Sequence, residues 1–180
     1  GLVTEQTYQY YLNQKAVGAH YLEIGNPMKA LEHFINAYQT TYGCEDLDLM
    51  LELAFLYDEV ENPEQAIAIF SQMIEVDPTF PTSYYGLATI YDDHEDYERA
   101  IYYYQKTIEL DPEYETAHFF LANIYDELGD NQKAIAHYEK TIEIDPSYYY
   151  AYINLGCIYE AEDKNLKAYH YFYRAHQVNP

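Results

Sequence analysis

The chain lacks tryptophan and has few cysteines, glycines or prolines. Its 180 residues include 2 Cys, 7 Gly and 7 Pro. Cys44 and Cys157 lie far apart and outside any Cys-x-x-Cys or Cys/His spacing, so the sequence predicts neither a zinc site nor a disulfide framework. Tyrosine, with 25 copies, supplies most of the large apolar area, and each hydroxyl needs water or a partner. Because 49% of the residues are hydrophobic, we expect the chain to bury a core and fold.

Positive charge is also scarce. There are 9 Lys and Arg residues against 31 Asp and Glu, and the formal net charge is -22. Such a field repels phosphate backbones over a Debye length of roughly 8 Å at physiological salt, so we expect no nucleic-acid partner. It also opposes docking on anionic lipid, and no apolar run approaches the roughly 18 to 20 residues of a membrane span. The sequence therefore predicts no membrane insertion.

Signatures of catalysis are missing. The sequence contains no glycine-rich phosphate loop, no Gly-x-Ser-x-Gly motif and no nucleophile with an assignable base, so we predict no enzymatic activity and no cofactor. The first residue is Gly1 instead of Met, and no charged segment followed by an apolar core indicates a targeting sequence. We expect an excised piece of a longer protein, with the compartment open and the cytoplasm as the default.

Metal-binding patterns are absent as well. The acidic pairs at 58–59, 92–93 and 126–127 would diverge on a helix, and no EF-hand loop accompanies them. The seven histidines form no His-Glu-x-x-His motif, so each is expected to be a single polar or half-buried residue, and we predict no bound metal. These histidines are His20, His33, His94, His118, His137, His170 and His176.

A period of 34 residues organises the sequence. An Asp-Pro or Asn-Pro pair recurs at this interval, and Ala, Tyr and Leu recur in the same frame, which indicates a helical repeat array. The positions are Asp77, Asp111, Asp145 and Asn179 before proline; Ala66, Ala100, Ala134 and Ala168; Tyr57, Tyr91, Tyr125 and Tyr159; and Leu53, Leu87, Leu121 and Leu155.

An earlier copy of the pattern precedes these four. It contains Val17, Gly18, Tyr21, Ala30 and Phe34, and it is offset by two extra residues that we assign to a longer loop over residues 39–46. The expected units follow a lead-in over residues 1–10. They are residues 11–46, 47–80, 81–114, 115–148 and 149–180.

Each unit is predicted to contain two amphipathic helices of about 14 residues, because the apolar residues recur at i, i+3, i+4 and i+7. Asn26 and Asn62 precede a proline and are predicted N-caps of the second helix, with Asp96 and Asp130 in the same position. The Asp-Pro pair is predicted to end that helix. The small alanine of the repeat lets two helices approach, and an aromatic residue four positions later fills the space beside it.

These residues resemble the tetratricopeptide repeat pattern of Trp-x2-Leu-Gly-x2-Tyr, Ala-x3-Phe and Pro in 34 residues. The resemblance covers roughly residues 11–180, and the Trp position is held by Gln14, Met50, Tyr84, His118 and Tyr152. It implies an all-α fold, a right-handed α-solenoid of about five helix-turn-helix repeats. In this family the first helix of each unit lines a concave groove. The matching groove positions are Leu51, Phe55, Asp58, Glu59, Tyr85, Thr89, Asp92, Asp93, Phe119, Asn123, Asp126, Glu127, Ile153, Cys157 and Glu160.

The implied groove is an apolar and aromatic strip flanked by carboxylates. Aromatic side chains can supply affinity, and an acidic row speeds the encounter with a cationic partner. We therefore predict a protein–protein interaction scaffold that binds a basic or amphipathic peptide or helix. The competing interpretation is that the acidic row is solvated surface. Capture of a C-terminal carboxylate, known from one branch of the family, is disfavoured because the matching positions offer only Lys15 and Asn123 among acidic neighbours.

Two other functions stay open. No extra polar helix follows Asn179-Pro180 to cover the array, so the chain could be a structural module that forms homo-oligomers by end-to-end or dimeric stacking. A peptide-sensing regulatory domain is the third hypothesis. The tyrosine clusters at 102–104 and 148–150 are expected to pack between helices and not to serve as phosphorylation sites.

Overall fold

The computed structural model describes residues 1–180 as ten α-helices and one short 3₁₀ helix, with no β-strand. This confirms the predicted all-α class. No helix is both long and apolar enough to cross a membrane. The α-helices are α1 (Leu2–Glu23), α2 (Pro27–Tyr38), α3 (Leu47–Glu59), α4 (Pro63–Val76), α5 (Pro81–Asp93), α6 (Tyr97–Leu110), α7 (Glu115–Glu127), α8 (Asn131–Ile144), α9 (Tyr149–Ala161) and α10 (Asn165–Val178), and the 3₁₀ helix is Gly43–Glu45.

The first helix begins earlier than the repeat pattern indicates. Residues 2–10, expected as a lead-in, are helical, so α1 has 22 residues. No proline or glycine interrupts this stretch, and aromatic contacts help to hold it. The ring of Tyr42 lies 5.1 Å from that of Tyr8 and 5.8 Å from that of Tyr11. The longer loop after α2 therefore packs against the additional turns of α1.

The predicted caps of the second helices are confirmed. The side chains of Asn26 and Asn62 accept hydrogen bonds from the backbone N–H three residues later, at 3.1 and 3.4 Å. Asp96 and Asp130 do the same for α6 and α8, at 3.3 and 3.2 Å. Each bond satisfies a backbone donor that the helix itself cannot pair, and so fixes where the helix begins.

The Asp-Pro pairs end the second helices, as predicted. Asp77, Asp111 and Asp145 have extended backbone, with φ of -144°, -136° and -128°. Each carboxylate then accepts a hydrogen bond from the backbone N–H two residues later, at 3.0, 3.1 and 3.0 Å. This turn sends the chain into the next first helix.

The chain forms two compact units, Gly1–Ile90 and Tyr91–Pro180. In the first unit α1 packs on α2, α2 on α3, and α3 on α4. In the second unit α6 packs on α7, α7 on α8, α8 on α9, and α9 on α10. Within each unit, an apolar face that one helix pair cannot cover is therefore covered by the following helix.

The repeated alanines and aromatic residues form the core of both units. Ala66, Ala100 and Ala134 are fully buried, as is Phe70. In the second unit the matching aromatic residues are Tyr104 and Tyr138, at 1% and 0% exposure. The residue that faces each aromatic ring must be small enough to fit against it. In the first unit this neighbour is a glycine, Gly86, where an added Cβ would lie 2.3 Å from ring carbons of Phe70.

Candidate partner-binding face

Lysine and arginine are absent from the first helices of the last four pairs. α3, α5, α7 and α9 contain Asp and Glu but no Lys or Arg. The 9 basic residues lie on α1, α2, α6, α8 and α10 or at the N-cap of α10. The sequence prediction missed this uneven distribution of Lys and Arg. It becomes visible only when the helix pairs are aligned.

Every basic side chain has a partner within the chain. Seven form ion pairs, with N–O distances from 2.6 Å for Lys15–Asp46 to 3.8 Å for Lys133–Asp130. The other two, Lys167 and Arg174, lie over tyrosine rings at 5.3 and 4.8 Å from the centroids. No Lys or Arg nitrogen lies within 4.0 Å of the carboxylates of Asp92, Asp93, Asp126, Glu127 or Glu160.

In the second unit, a hydrogen-bond network joins α7, α8 and α9. The Asn154 amide donates to Asn123 Oδ1 at 3.1 Å and to the Tyr138 hydroxyl at 3.2 Å. The Tyr138 hydroxyl donates in turn to Asn123 Oδ1. Asn123, a predicted groove residue, is thus placed beside α9, but its amide oxygen is already bound by this chain.

Carboxylates and a thiol are grouped next to this network. We call this surface the α7/α9 face and define it by Asp126, Ile153, Cys157 and Glu160; all but the half-buried Ile153 are exposed, as is Glu127 beside Asp126 in sequence. Partial burial raises the pKa of Asp126, and Glu127 raises it further. Partial burial also raises the pKa of Cys157, and the charges of Glu160 and Asp126 add to this shift. The charge of Asp126 on α7 therefore acts on a residue of α9, and no cation offsets it.

Two residues predicted for the groove make contacts within the chain. Phe119 is only 8% exposed, and its ring lies 4.7 Å from that of Tyr148, which covers it. Asp92 is half-buried and accepts a hydrogen bond from the Tyr104 hydroxyl at 3.0 Å. Burial raises the pKa of Asp92, the bond from Tyr104 lowers it, and Asp93 raises it again, for a net upward shift. The exposed Asp93 is the more accessible carboxylate of this pair.

In the first unit, the predicted residues of α3 and α5 differ in exposure. Phe55 is 40% exposed, and its ring lies 5.4 Å from that of Phe70. The Thr89 hydroxyl donates to the Gly86 carbonyl at 2.9 Å. Glu59 is exposed, while Leu51, Asp58, Tyr85 and Thr89 are half-buried.

Two histidines form a pair that the sequence prediction missed. His118 Nδ1 lies 3.0 Å from His137 Nδ1, and His118 Nε2 lies 2.9 Å from the Pro112 carbonyl oxygen. Because a carbonyl only accepts, His118 carries its proton on Nε2 and accepts from His137 through Nδ1. Burial, followed by His118 and Lys133, lowers the pKa of His137 to about 4. The pair is a neutral contact between α7 and α8, and the chain contains no group of three or more His, Cys, Asp or Glu that could hold a metal.

Two family models, both described as tetratricopeptide repeat, match the chain. One matches residues 51–115 and 85–149, and the other matches residues 137–175. The chain belongs to the tetratricopeptide repeat family. This confirms the resemblance drawn from the sequence, and the chain is accordingly a protein–protein interaction scaffold. The matched tetratricopeptide repeats extend from within α3 into α10, while the α1/α2 pair precedes them.

Solved structures of MamA share this tetratricopeptide fold. One is 27% identical, with a TM-score of 0.80 over 90% of this chain and 94% of MamA. A second is 26% identical, with a TM-score of 0.81 over 94% and 92%. MamA from Desulfovibrio magneticus RS-1 is 16% identical, with a TM-score of 0.82 over 94% of each chain, and this last likeness concerns the fold alone. None of the curated proteins compared with the chain matches its sequence.

Proposed function

We propose that this scaffold binds a basic or amphipathic segment of a partner protein on the exposed side of its first helices, with the α7/α9 face as the best-defined part. The observation that carries the proposal is the segregation of charge. Every Lys and Arg is engaged elsewhere, whereas Asp126, Glu127 and Glu160 have no Lys or Arg counter-ion.

Unpaired carboxylates that face solvent favour a cationic partner for two reasons. They attract it over a Debye length and so speed the encounter, and they repel acidic competitors. The half-buried Ile153, one helical turn before Cys157 on α9, offers an apolar contact. A segment with both lysines and apolar side chains, such as an amphipathic helix, would match both features.

A labelled, lysine-rich amphipathic peptide tests the proposal by fluorescence anisotropy. Asp126→Lys combined with Glu160→Lys should weaken binding about tenfold or more, because two attractive charges become repulsive. Asp92 is left unchanged in this variant because it accepts a hydrogen bond from Tyr104. Raising the salt from 50 to 300 mM NaCl should also weaken binding to the wild-type chain.

The control variant makes the same change of charge on second helices. Glu75→Lys with Glu98→Lys changes the net charge equally, but these exposed carboxylates, which form no ion pair with Lys or Arg, lie on α4 and α6. This control should keep most of the affinity. Equal losses for the two double variants would show that the peptide responds to net charge alone and would contradict a site on the α7/α9 face.

Assembly between copies is the second candidate function. On α10, Leu166, Tyr169 and Tyr173 are 88%, 68% and 51% exposed, and the two tyrosine rings stack at 6.2 Å. Packing of this surface on another copy would bury them. Sedimentation velocity over a hundredfold range of concentration measures this, and a monomer throughout, with no change on Tyr169→Glu, would rule the assembly out.

A further inference from the structure

The first unit contains an open crevice between α1 and α3. Its volume is about 180 Å³, and its floor consists of Ala19, Leu22, Phe34 and Leu49. Phe34 and Leu49 are 4% and 2% exposed, so the floor is part of the packed core. This volume is several times the roughly 30 Å³ that one water occupies in the liquid, and water in an apolar crevice finds few hydrogen-bond partners. An apolar side chain would displace that water favourably.

The rim of the crevice carries net negative charge. It is formed by Lys15 from α1 and by Asp48 and Glu52 from α3. Lys15 Nζ is bound to Asp46 Oδ2 at 2.6 Å, which neutralises its charge. Asp48 and Glu52 are exposed, lie one helical turn apart, and have no Lys or Arg within 4.0 Å.

The equivalent positions in the second unit hold larger side chains. In the repeat frame, Asn123 replaces Ala19 and Tyr138 replaces Phe34. The Tyr138 hydroxyl donates to Asn123 Oδ1, and the Asn154 amide of α9 donates to the same oxygen, so polar side chains occupy these positions between α7 and α9. At the crevice the small Ala19 and the apolar Phe34 ring stand in place of this hydrogen-bonded pair, so its floor offers no polar side chain.

We propose that this crevice takes one aliphatic side chain, such as leucine, of a basic or amphipathic segment that binds to the first unit, while Asp48 and Glu52 hold a lysine or arginine next to it. The inference rests on the proposed function and adds an apolar anchor to it. Charge favours this occupant over a second copy of the chain, because two copies would each bring a net charge of -22 to the contact.

Two lysine-rich peptides of about 12 residues, identical except for a central leucine or serine, test the anchor. The wild-type chain should bind the leucine peptide about fivefold more tightly, which corresponds to partial burial of one leucine side chain. Ala19→Leu should fill the crevice and reduce this preference to less than about twofold, because the added side chain takes the place of the guest. Ala16→Leu is the matched control, since Ala16 is exposed on the same helix and does not line the crevice, and it should keep the preference.

Methyl NMR of Leu22 and Leu49 gives a readout at the crevice itself. Their resonances should shift with the leucine peptide and much less with the serine peptide. Equal affinities of the wild-type chain for both peptides, or a preference that survives in Ala19→Leu, would overturn the anchor and leave the proposed function standing. If neither peptide bound at 50 mM NaCl, the proposed function itself would fail. Concentration-dependent shifts without peptide would assign the crevice to a second copy and overturn the inference.

Discussion

Gly86 shows how closely α4 and α5 pack within the first unit. Its backbone lies against the end of the Phe70 ring, which is fully buried, and an added Cβ would lie 2.3 Å from two ring carbons. Gly86→Ala should therefore destabilise the chain by about 1 to 3 kcal/mol, through overpacking. This loss should outweigh the roughly 1 kcal/mol by which alanine is the better helix former. Urea denaturation followed by circular dichroism measures the difference.

A second substitution separates overpacking from other effects of the alanine. In a Phe70→Leu background the ring is gone, so Gly86→Ala should cost much less than in the wild-type chain. If the alanine were equally costly in both backgrounds, contact with Phe70 would not be its cause.

The pair of His118 and His137 should make stability depend on pH. Burial lowers the pKa of both residues, to about 4 for His137, while the unfolded chain titrates near the ordinary value of 6.5. Between these values the unfolded chain binds more protons, so the free energy of unfolding falls as pH falls from about 6.5 towards 4. The loss should be on the order of 2 kcal/mol relative to a chain without the pair.

The repeats supply the matched variant for this measurement. In the following repeat, tyrosine occupies both histidine positions. Tyr152 replaces His118 and donates to the Pro146 carbonyl at 2.7 Å. Tyr171 replaces His137, and its ring stacks on that of Tyr159 at 5.6 Å. His118→Tyr with His137→Tyr should preserve such contacts without titrating. The comparison of the two chains cancels Asp92 and Asp126, whose raised pKa values act in the opposite direction. Parallel pH profiles would refute the role of the pair.

At the level of elements, each turn within a helix pair places one residue in the left-handed region. The five φ values range from 57° to 81°, and only two of these positions hold glycine. A side chain in this conformation costs about 1 kcal/mol. The residues are Gly25, Glu61, Glu95, Gly129 and Asp163.

Substitutions in this turn should change stability through the backbone alone. Gly129→Ala should destabilise by about 1 kcal/mol, although an added Cβ there would meet no atom within 4 Å. Glu95→Gly should stabilise by about 0.5 to 1 kcal/mol, and Glu95→Gln controls for the lost charge. Denaturant midpoints measure both changes, and a neutral Gly129→Ala would show that the turn relaxes to another conformation.

The elements divide into those that local sequence determines and those that it does not. The caps at Asn62 and Asp96 were predictable because the cap and the donor are three residues apart. The helix ends at the Asp-Pro pairs were predictable because proline restricts the residue directly before it. The burial of Phe119 was not, because it depends on Tyr148 from the following helix pair. The crevice beside Ala19 was likewise invisible, since it reflects what two facing helices leave unfilled.

For the whole molecule, the sequence predicted the amount of charge but not its arrangement. The composition does not say whether the excess carboxylates are spread evenly over the surface or concentrated on one side. The predicted groove positions rested on the family pattern alone. The helix boundaries show that the basic residues lie on α1, α2, α6, α8 and α10 or at the N-cap of α10, and that some pair within their own helix, as in Lys106–Glu109 and Lys140–Glu143, each at 3.3 Å. No Lys or Arg lies within the first helices from α3 onwards, so these helices contribute only acidic charge.

This imbalance should make the folded chain more stable in salt. Repulsion among unpaired carboxylates opposes the compact state, and NaCl screens it as the Debye length falls from roughly 30 Å at 0.01 M to 10 Å at 0.1 M. We expect the melting temperature to rise by about 5 °C over this range, with KCl equivalent to NaCl because only ionic strength matters. Asp126→Lys with Glu160→Lys, which lowers the net negative charge, should show a smaller rise by differential scanning calorimetry.

A melting temperature that fell with salt would mean that the seven ion pairs stabilise the fold more than the unpaired carboxylates destabilise it. The exposure of most of those pairs argues against this, since exposed pairs contribute about 0 to 1 kcal/mol each.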